Sequence, residues 1–434
     1  MSISAARSID EFGGSGNLEA LLEEIERLVG DYFAMGAQAS SERYEYALAA
    51  PPFAAEEVLA VLRAMLHGRL TMGAAVGMFE RDFADAFGLP EAVMLNSGSS
   101  ANLLAVALLM AEQVEGHLER GDEVIVPALT WPTTVAPLVQ LGLVPVFVDV
   151  DPTTLAITPE GVQAAMSPRV RAVVPVHMLG NAADVVALRA LADDAGAWML
   201  EDACQALGTE VAGRSVGSFG DLASFSFYLS HHISTIEGGM LVVNRPELVD
   251  VARSMRAHGW IRDMDHREAV VREHPDIDPR FLFATLGFNL RPTDLQGLLG
   301  SVQLRKLQVF NRERQERAVR VAAELPLVTD DLTFLGDPMS AGGSWFGIPL
   351  LARTAELRRG LVDHLEAHGI ETRPVAGGNL TLQPAFRNVP QRRADDLAVA
   401  TDIARRALVV GNHSRLTPAD VDRLLHAIAT FTSR

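Results

Sequence analysis

Apolar and polar positions change their spacing several times along the chain, and each change predicts a different element. Val93-Met-Leu, Glu123-Val-Ile-Val-Pro, Val144-Pro-Val-Phe-Val-Asp-Val, Ala172-Val-Val-Pro-Val and Met199-Leu-Glu-Asp are short β-rich runs. Between them lie stretches with helical spacing, such as residues 100–115. Alternation of this kind predicts an α/β fold, with a mostly parallel sheet covered by helices on both faces. Ligands of such sheets sit off the carboxyl ends of the strands. Residues 15–40 repeat apolar side chains at helical spacing and predict a helical N-terminal extension, 1–50, outside a large domain, 51–315. After about Asn311 an Arg/Glu-rich helix leads into a smaller α+β domain, 316–434. Its strands are expected near Ser344-Trp-Phe-Gly-Ile-Pro-Leu and Leu408-Val-Val, and its helices over residues 356–368 and 418–432.

Composition narrows the class of partner. The 434 residues are 48% hydrophobic and 21% charged, as in an ordinary globular protein with a large core. Acidic residues exceed basic ones, 55 to 37, and the net charge of −18 argues against nucleic acid or an anionic membrane as partner. No apolar run reaches transmembrane length and the first residues lack a signal-peptide core, so a cytoplasmic location is the expectation. One cysteine, Cys204, excludes a disulfide framework and a cysteine-held metal or iron–sulfur site within one chain; no metal site is expected.

The segment Ser224-Phe-Ser-Phe-Tyr-Leu-Ser-His-His-Ile-Ser-Thr-Ile-Glu-Gly-Gly has the form of a pyridoxal-phosphate lysine loop, with His231 where the lysine belongs. The chain contains one lysine, Lys306. An imidazole cannot tether the cofactor as a Schiff base, but with an ordinary pKa of about 6.5 it can move a proton near neutral pH. Asn96-Ser-Gly-Ser-Ser-Ala-Asn-Leu-Leu-Ala follows a strand and opens a helix, so its backbone N–H groups suit a phosphate; it equally suits a plain helix cap. Asp202 ends a predicted strand, where its carboxylate could pair with a pyridinium nitrogen or cap a helix. Gln205 could reach the ring's phenolic oxygen, and Ser226 a phosphate. Trp131 could stack on the ring or serve as a core aromatic. His232 is read as packing or orientation.

In this order the motifs resemble the fold-type I pyridoxal-phosphate enzymes of the DegT/StrS sugar aminotransferase family, from about Arg69 to the end of the chain. The match is closest to the lysine-less 3-dehydratase branch typified by colitose biosynthesis. The residues that carry it are Asn96-Ser-Gly-Ser-Ser-Ala-Asn-Leu-Leu, His177-Met-Leu-Gly-Asn, Phe227-Tyr-Leu-Ser-His-His-Ile, Arg256-Ala-His-Gly-Trp-Ile-Arg, Gly287-Phe-Asn-Leu-Arg-Pro, Ser344-Trp-Phe-Gly, Arg373-Pro and Val410-Gly-Asn-His. The resemblance implies an aspartate aminotransferase-like fold and a homodimer with shared sites, Asn289 reaching the partner's cofactor phosphate. It implies Gly98, Ser99 and Ser226 at the phosphate, Trp131 on the ring face, Asp202 at the ring nitrogen and His231 as base. A sister branch holds an iron–sulfur cluster through cysteines, which one cysteine cannot do. Two features depart from the branch: the N-terminal extension has no counterpart in the colitose enzyme, and Gln205 stands where an acidic residue is usual.

The resemblance thus implies a pyridoxamine 5′-phosphate/pyridoxal 5′-phosphate enzyme that removes the C3 hydroxyl of a nucleotide-linked 4-keto-6-deoxyhexose, with glutamate restoring the pyridoxamine form. Arg262, Arg291, Arg373 and His413 are candidates for carboxylate and phosphate contacts, because guanidinium forks suit both, though each Arg also suits a surface ion pair. His258 and Trp260 could line the sugar pocket or simply pack. Two other outcomes stay open: a lysine-less aminotransferase acting on a keto sugar or related antibiotic intermediate, and a non-catalytic sugar-nucleotide-binding homologue.

Overall fold

A computed structural model describes residues 15–35, 43–68, 70–339 and 342–432. Its centre is an eight-stranded sheet in the order β1-β9-β8-β5-β4-β2-β3-β13. The strands are β1 (Ala92–Leu95), β2 (Glu123–Pro127), β3 (Val144–Val148), β4 (Val170–Val173), β5 (Trp198–Asp202), β8 (Leu222–Ser226), β9 (Gly239–Val243) and β13 (Arg392–Arg393), with a two-stranded ribbon, β6 (Glu210–Val211) and β7 (Arg214–Ser215), between β5 and β8. Pairing is parallel from β8 through β13 and antiparallel where β9 meets β8 and β1. β1, β2, β8 and β9 are buried along their whole length, which explains the apolar runs of β1 and β9 and the apolar centre of β2. A second sheet, β10-β11-β14-β12, is built from β10 (Leu332–Phe334), β11 (Gly347–Ala352), β12 (Thr372–Arg373) and β14 (Ala407–Gly411), with helices Ala355–Ala367 and Pro418–Thr432 sharing its core.

The expected mostly parallel α/β sheet is present, and three boundaries differ from those read in the sequence. The long helix runs Asp294–Val328 and so begins well before Asn311; the division expected at 315/316 falls inside it. Its first turns disguise a helix because they carry glycine. A Cβ on Gly300 would lie 2.5 Å from the Phe79 ring, so only glycine lets this helix approach helix Ala74–Phe87 so closely. The start is fixed instead by Thr293, whose hydroxyl accepts from the N–H of Gln296 while the Gln296 side chain accepts from the N–H of Thr293. The second difference is β13, which comes from the C-terminal portion and returns to the edge of the large sheet beside β3.

The third concerns the N-terminal portion. Helix Ser15–Ala34 lies within the stretch predicted as helical, and Arg63 of helix Ala55–Leu66 reaches its Glu26 at 2.6 Å. The expected stretches 1–14 and 36–42 lie outside the described residues. Tyr46, however, is no extension. It is 1% exposed, donates its hydroxyl to the Gly411 carbonyl at 2.8 Å and pairs with Ile370, which ties residues 43–50 into the smaller sheet's core.

Beneath β8 and β9, Phe83 packs edge-on against Phe79, Phe225 and Phe227, all fully buried. Phe225 and Phe227 bracket Ser226, so this cluster backs one wall of the cavity described next. Replacing a buried aromatic by alanine leaves a cavity and costs about 3–5 kcal/mol. Phe83→Ala should therefore lose about that much stability in denaturant titration, and a loss below about 1 kcal/mol would contradict the packing.

Candidate active site

The carboxyl ends of β5 and β8 and the start of helix Gly98–Leu109 converge on one cavity of about 270 Å³. Asp202 closes its floor. The N–H of this last β5 residue bonds the Pro175 carbonyl, and its own carbonyl accepts from His177. The Asp202 carboxylate receives neutral donors on both oxygens: Thr134 at 2.7 Å and Asn102 at 3.0 Å on Oδ2, and the Cys204 N–H at 3.2 Å on Oδ1. Thr130 lies 3.0 Å behind Thr134, extending the chain of hydroxyls.

Alternation along β5 sends the neighbouring Glu201 to the opposite face. There it accepts from the N–H groups of Gly217, Phe219 and Gly220 and from His177 Nε2 at 3.0 Å. His177 Nδ1 accepts from the Ala183 N–H, so the proton sits on Nε2 and points at Glu201. Burial works to raise the Glu201 pKa, but the His177 bond and the backbone donors outweigh it, and the net shift is downward.

At the other end, the Ser97 side chain caps helix Gly98–Leu109 by accepting the Ser100 N–H at 3.0 Å. A Cβ on Gly98 would fall 2.6 Å from Ser226 Cβ, so glycine is what lets the helix start press against the end of β8. Ser99 meets Thr133 at 2.9 Å, and the Ser226 hydroxyl accepts from the Tyr228 N–H. Trp131, the residue preceding helix Pro132–Leu141, stands at the cavity rim, 53% exposed. Gln205 also lines the cavity, its carbonyl oxygen taken by the Leu179 N–H at 3.2 Å.

His231 forms part of the wall. Its ring packs edge-on against Phe346 at 4.9 Å and Tyr228 at 6.1 Å, and its Nδ1 is buried without a partner. The Arg373 guanidinium lies over the Phe346 ring at 4.7 Å and lines the same cavity. Burial, with Arg373 and Arg314 nearby, pushes the His231 pKa down to about 3, so the free ring is neutral around pH 7. Lys306 is elsewhere: its Nζ meets Glu57 at 2.5 Å and Glu56 at 3.4 Å.

Eight residues expected at the site, Gly98, Ser99, Trp131, Asp202, Gln205, Ser226, His231 and Arg373, therefore line one cavity. Five do not. Asn289, Arg291 and Arg262 border a separate surface depression, where Arg291 donates to the Asn289 side chain at 3.0 Å. Arg262 also stacks on Trp260 at 4.3 Å beside Arg267, Arg272 and Arg280. The His258 side chain is exposed outside the cavity.

His413, the sixth residue outside the cavity, needs a correction. It is buried, its Nε2 bonds the Ala47 carbonyl at 3.1 Å and its Nδ1 accepts from the Arg415 N–H, so neither nitrogen is left for a ligand. Sequence reading passed over Asn102, Thr134 and Phe346. Asn102 carried a usable signal: one polar residue in the otherwise apolar helix face four positions after Gly98. Cys204 is half-buried and lines the cavity.

The match to known proteins is broad. Residues 52–429 fit the model of the DegT/DnrJ/EryC1/StrS aminotransferase family. The chain belongs to this family. A curated relative from Saccharopolyspora spinosa, dTDP-4-dehydro-2,6-dideoxy-D-glucose 3-dehydratase, is 37% identical over 87% of this chain and 85% of its own length. GDP-4-keto-6-deoxy-D-mannose 3-dehydratase of Yersinia pseudotuberculosis is 35% identical over 85% of this chain and 94% of its own. Among solved structures, GDP-4-keto-6-deoxymannose-3-dehydratase with a trapped PLP-glutamate geminal diamine superimposes with a TM-score of 0.80 at 30% identity, covering 88% of this chain and 100% of that one. The chain thus has the fold-type I architecture of this family, with the cavity at the strand ends.

Three histidines are held neutral by burial: His231, His232, whose pKa lies well below the ordinary value, and His413, at about 4. In the unfolded chain each titrates near about 6.5. Between the lowered values and about 6.5 the unfolded chain binds more protons than the folded one, so stability rises with pH and is lost as pH falls through that window. The loss at pH 5 reaches at most about 2 kcal/mol per histidine. Denaturant titrations should register this fall from pH 7 to 5, and the gap between wild type and His413→Gln should narrow with it; a constant gap would contradict the assignment.

Proposed function

We propose that the chain is a pyridoxamine/pyridoxal 5′-phosphate-dependent sugar-nucleotide 3-dehydratase, a carbon–oxygen lyase. Its substrate is a nucleotide-linked 4-keto-6-deoxyhexose, from which it removes the C3 hydroxyl. The reading rests above all on the side chain at position 231: an imidazole faces the cavity whose floor is Asp202, while Lys306 is engaged with Glu57. Two relatives named as 3-dehydratases support the substrate class, one on a dTDP sugar and one on a GDP sugar. The PLP-glutamate adduct in a related structure supports glutamate as the amino donor.

The residues fit the cofactor. Its phosphate belongs at the start of helix Gly98–Leu109, where Gly98, Ser99 and Ser226 offer backbone and hydroxyl donors in a space that a Cβ on Gly98 would fill. Its ring nitrogen belongs at Asp202, whose carboxylate is held by Asn102, Thr134 and Cys204. Trp131 covers a ring face, and Gln205 serves the phenolic oxygen. Bound pyridoxamine phosphate supplies the amine that engages the sugar C4 carbonyl and a ring that accepts electron density as the C3 hydroxyl departs.

The protein's own work is placement and proton transfer. Asp202 holds the proton on the ring nitrogen. His231, neutral before substrate enters, takes the proton from the C4′ carbon and, once protonated, can return it to the departing hydroxyl. Arg373 beside it receives an anionic group of substrate or glutamate. The net products are the 3-deoxy-4-keto sugar, ammonia and pyridoxal phosphate. In a homodimer the exposed surface carrying Asn289, Arg262 and Arg291 serves the partner's cavity, which accounts for its separation from the cavity of its own subunit.

His231→Asn should keep cofactor binding and lose about 10²- to 10⁴-fold in dehydration. Full turnover in that variant would remove the base assignment. Incubation with pyridoxamine phosphate, glutamate and a panel of dTDP- and GDP-linked 4-keto-6-deoxyhexoses should release ammonia, with the sugar losing the mass of one oxygen. Gain of nitrogen by the sugar would identify a transaminase instead.

A further inference from the structure

A catalytic histidine is ordinarily oriented by a hydrogen bond to its second ring nitrogen. His231 lacks one at Nδ1, and no covalent bond to a cofactor can pin its loop as it would a lysine loop. Something else must hold the ring. The loop closes locally through the His231 N–H, which bonds the Tyr228 carbonyl at 2.9 Å, but that contact lies within the same turn.

Beyond that turn, His232 Nε2 bonds the Ser344 carbonyl at 3.1 Å and the Ser234 N–H bonds Gln303, and the contact made to His231 itself comes from helix Asp294–Val328. Arg314 is 2% exposed, and its three hydrogen bonds all go to backbone carbonyls. Its Nη2 donates to His231 at 3.2 Å, and its Nη1 to Phe346 at 3.1 Å and Asn412 at 2.5 Å. Asn412 in turn donates to the carbonyls of Arg314 at 3.1 Å and Trp345 at 2.9 Å, and accepts from Arg317 at 2.9 Å. Burying a guanidinium is costly unless its donors are matched; here Nη1 and Nη2 match carbonyls from three separate segments, while Nε is buried without a partner. Two of those segments carry His231 and Phe346, the ring on which the imidazole packs.

We infer that Arg314 is a positioning residue for proton transfer: by bonding the carbonyls of His231, Phe346 and Asn412, it fixes the backbone from which the imidazole projects and the aromatic wall that orients it. The inference rests on His231 being the proton-transfer group. Arg314 is also a cation beneath that group. The other charged and titratable groups facing His231 are Arg373 across Phe346 and His232 in the same loop, with Tyr228, Glu237, Cys204 and Asp202 on the remaining cavity walls. Removing the cation favours the protonated imidazole.

The test uses the full chain with pyridoxamine phosphate, comparing Arg314→Lys and Arg314→Met. Arg314→Met should lose about tenfold to a hundredfold in kcat, as misplacement by about 1 Å does, while KM and cofactor affinity stay within about threefold. The acid limb of its pH profile should move to higher pH. Arg314→Lys, which keeps the charge with fewer fixed donors, should leave the limb in place and recover part of kcat. A second readout needs no turnover. In His231→Lys, the introduced amine should capture added pyridoxal phosphate as a visible-absorbing, borohydride-reducible adduct, and adding Arg314→Met should cut that adduct about tenfold.

Unchanged kcat, an unchanged adduct yield, or parallel loss of kcat, cofactor affinity and melting temperature would overturn the positioning role. Should Arg314→Met not fold, Arg314→Lys decides through the same measurements. Absence of dehydratase turnover in the wild type, with an adduct yield that still depends on Arg314, would sink the functional reading and leave the positioning role standing. A turning-over wild type matched by both Arg314 variants would do the reverse.

Discussion

A Schiff base to lysine would locate a cofactor ring with one covalent bond. Under the function proposed above, with an imidazole at position 231 and Lys306 bound to Glu57, placement of that ring would depend on noncovalent contacts on every side of the cavity. The buried polar groups of this protein make sense in that light. Asp202 is not merely present at the floor but bonded on both oxygens by Asn102, Thr134 and the Cys204 backbone, which fixes its direction. Neutral donors do this without bringing a competing positive charge to the carboxylate.

The sheet supplies the frame for that placement. β5 and β8 are parallel neighbours, so Asp202 and Ser226 emerge at the same edge, and the start of helix Gly98–Leu109 is pressed onto that edge at a glycine. One residue back, Glu201 points to the other face and gathers three backbone N–H groups and His177. Adjacent carboxylates thus do different work because a strand alternates its faces: one anchors the turn at 217–220, the other faces the cavity. The phenylalanine cluster behind Ser226 adds rigidity that hydrogen bonds alone would not.

Much of this was legible from residue patterns, for identifiable reasons. Buried parallel strands must be continuous apolar runs, and β2, β3 and β5 were read from that signal. The cavity's anchors stand next to strand ends or helix starts, where local spacing exposes them. Gly98, Asp202 and Ser226 are of this kind, and His231 follows in the loop after β8. The helix from Asp294 was hidden because Gly300 serves an interhelical contact that local propensity cannot anticipate. His413 looked like a ligand in its motif, yet the Ala47 carbonyl and the Arg415 N–H claim both ring nitrogens, one of them through a contact across the fold.

By itself the chain's order of residues determined the class of sheet, the small-residue helix start after β1 and the His231-His232 pair in the loop after β8, because each is written in consecutive positions. Tertiary structure decided which polar side chains meet. Asn102 and Thr134 reach Asp202, Phe346 meets both His231 and Arg373, and Arg314 reaches a carbonyl 83 positions away. It also separated Asn289, Arg262 and Arg291 from the cavity. Such meetings depend on how two sheets and a long helix pack, and packing is a property of surfaces that no local spacing specifies.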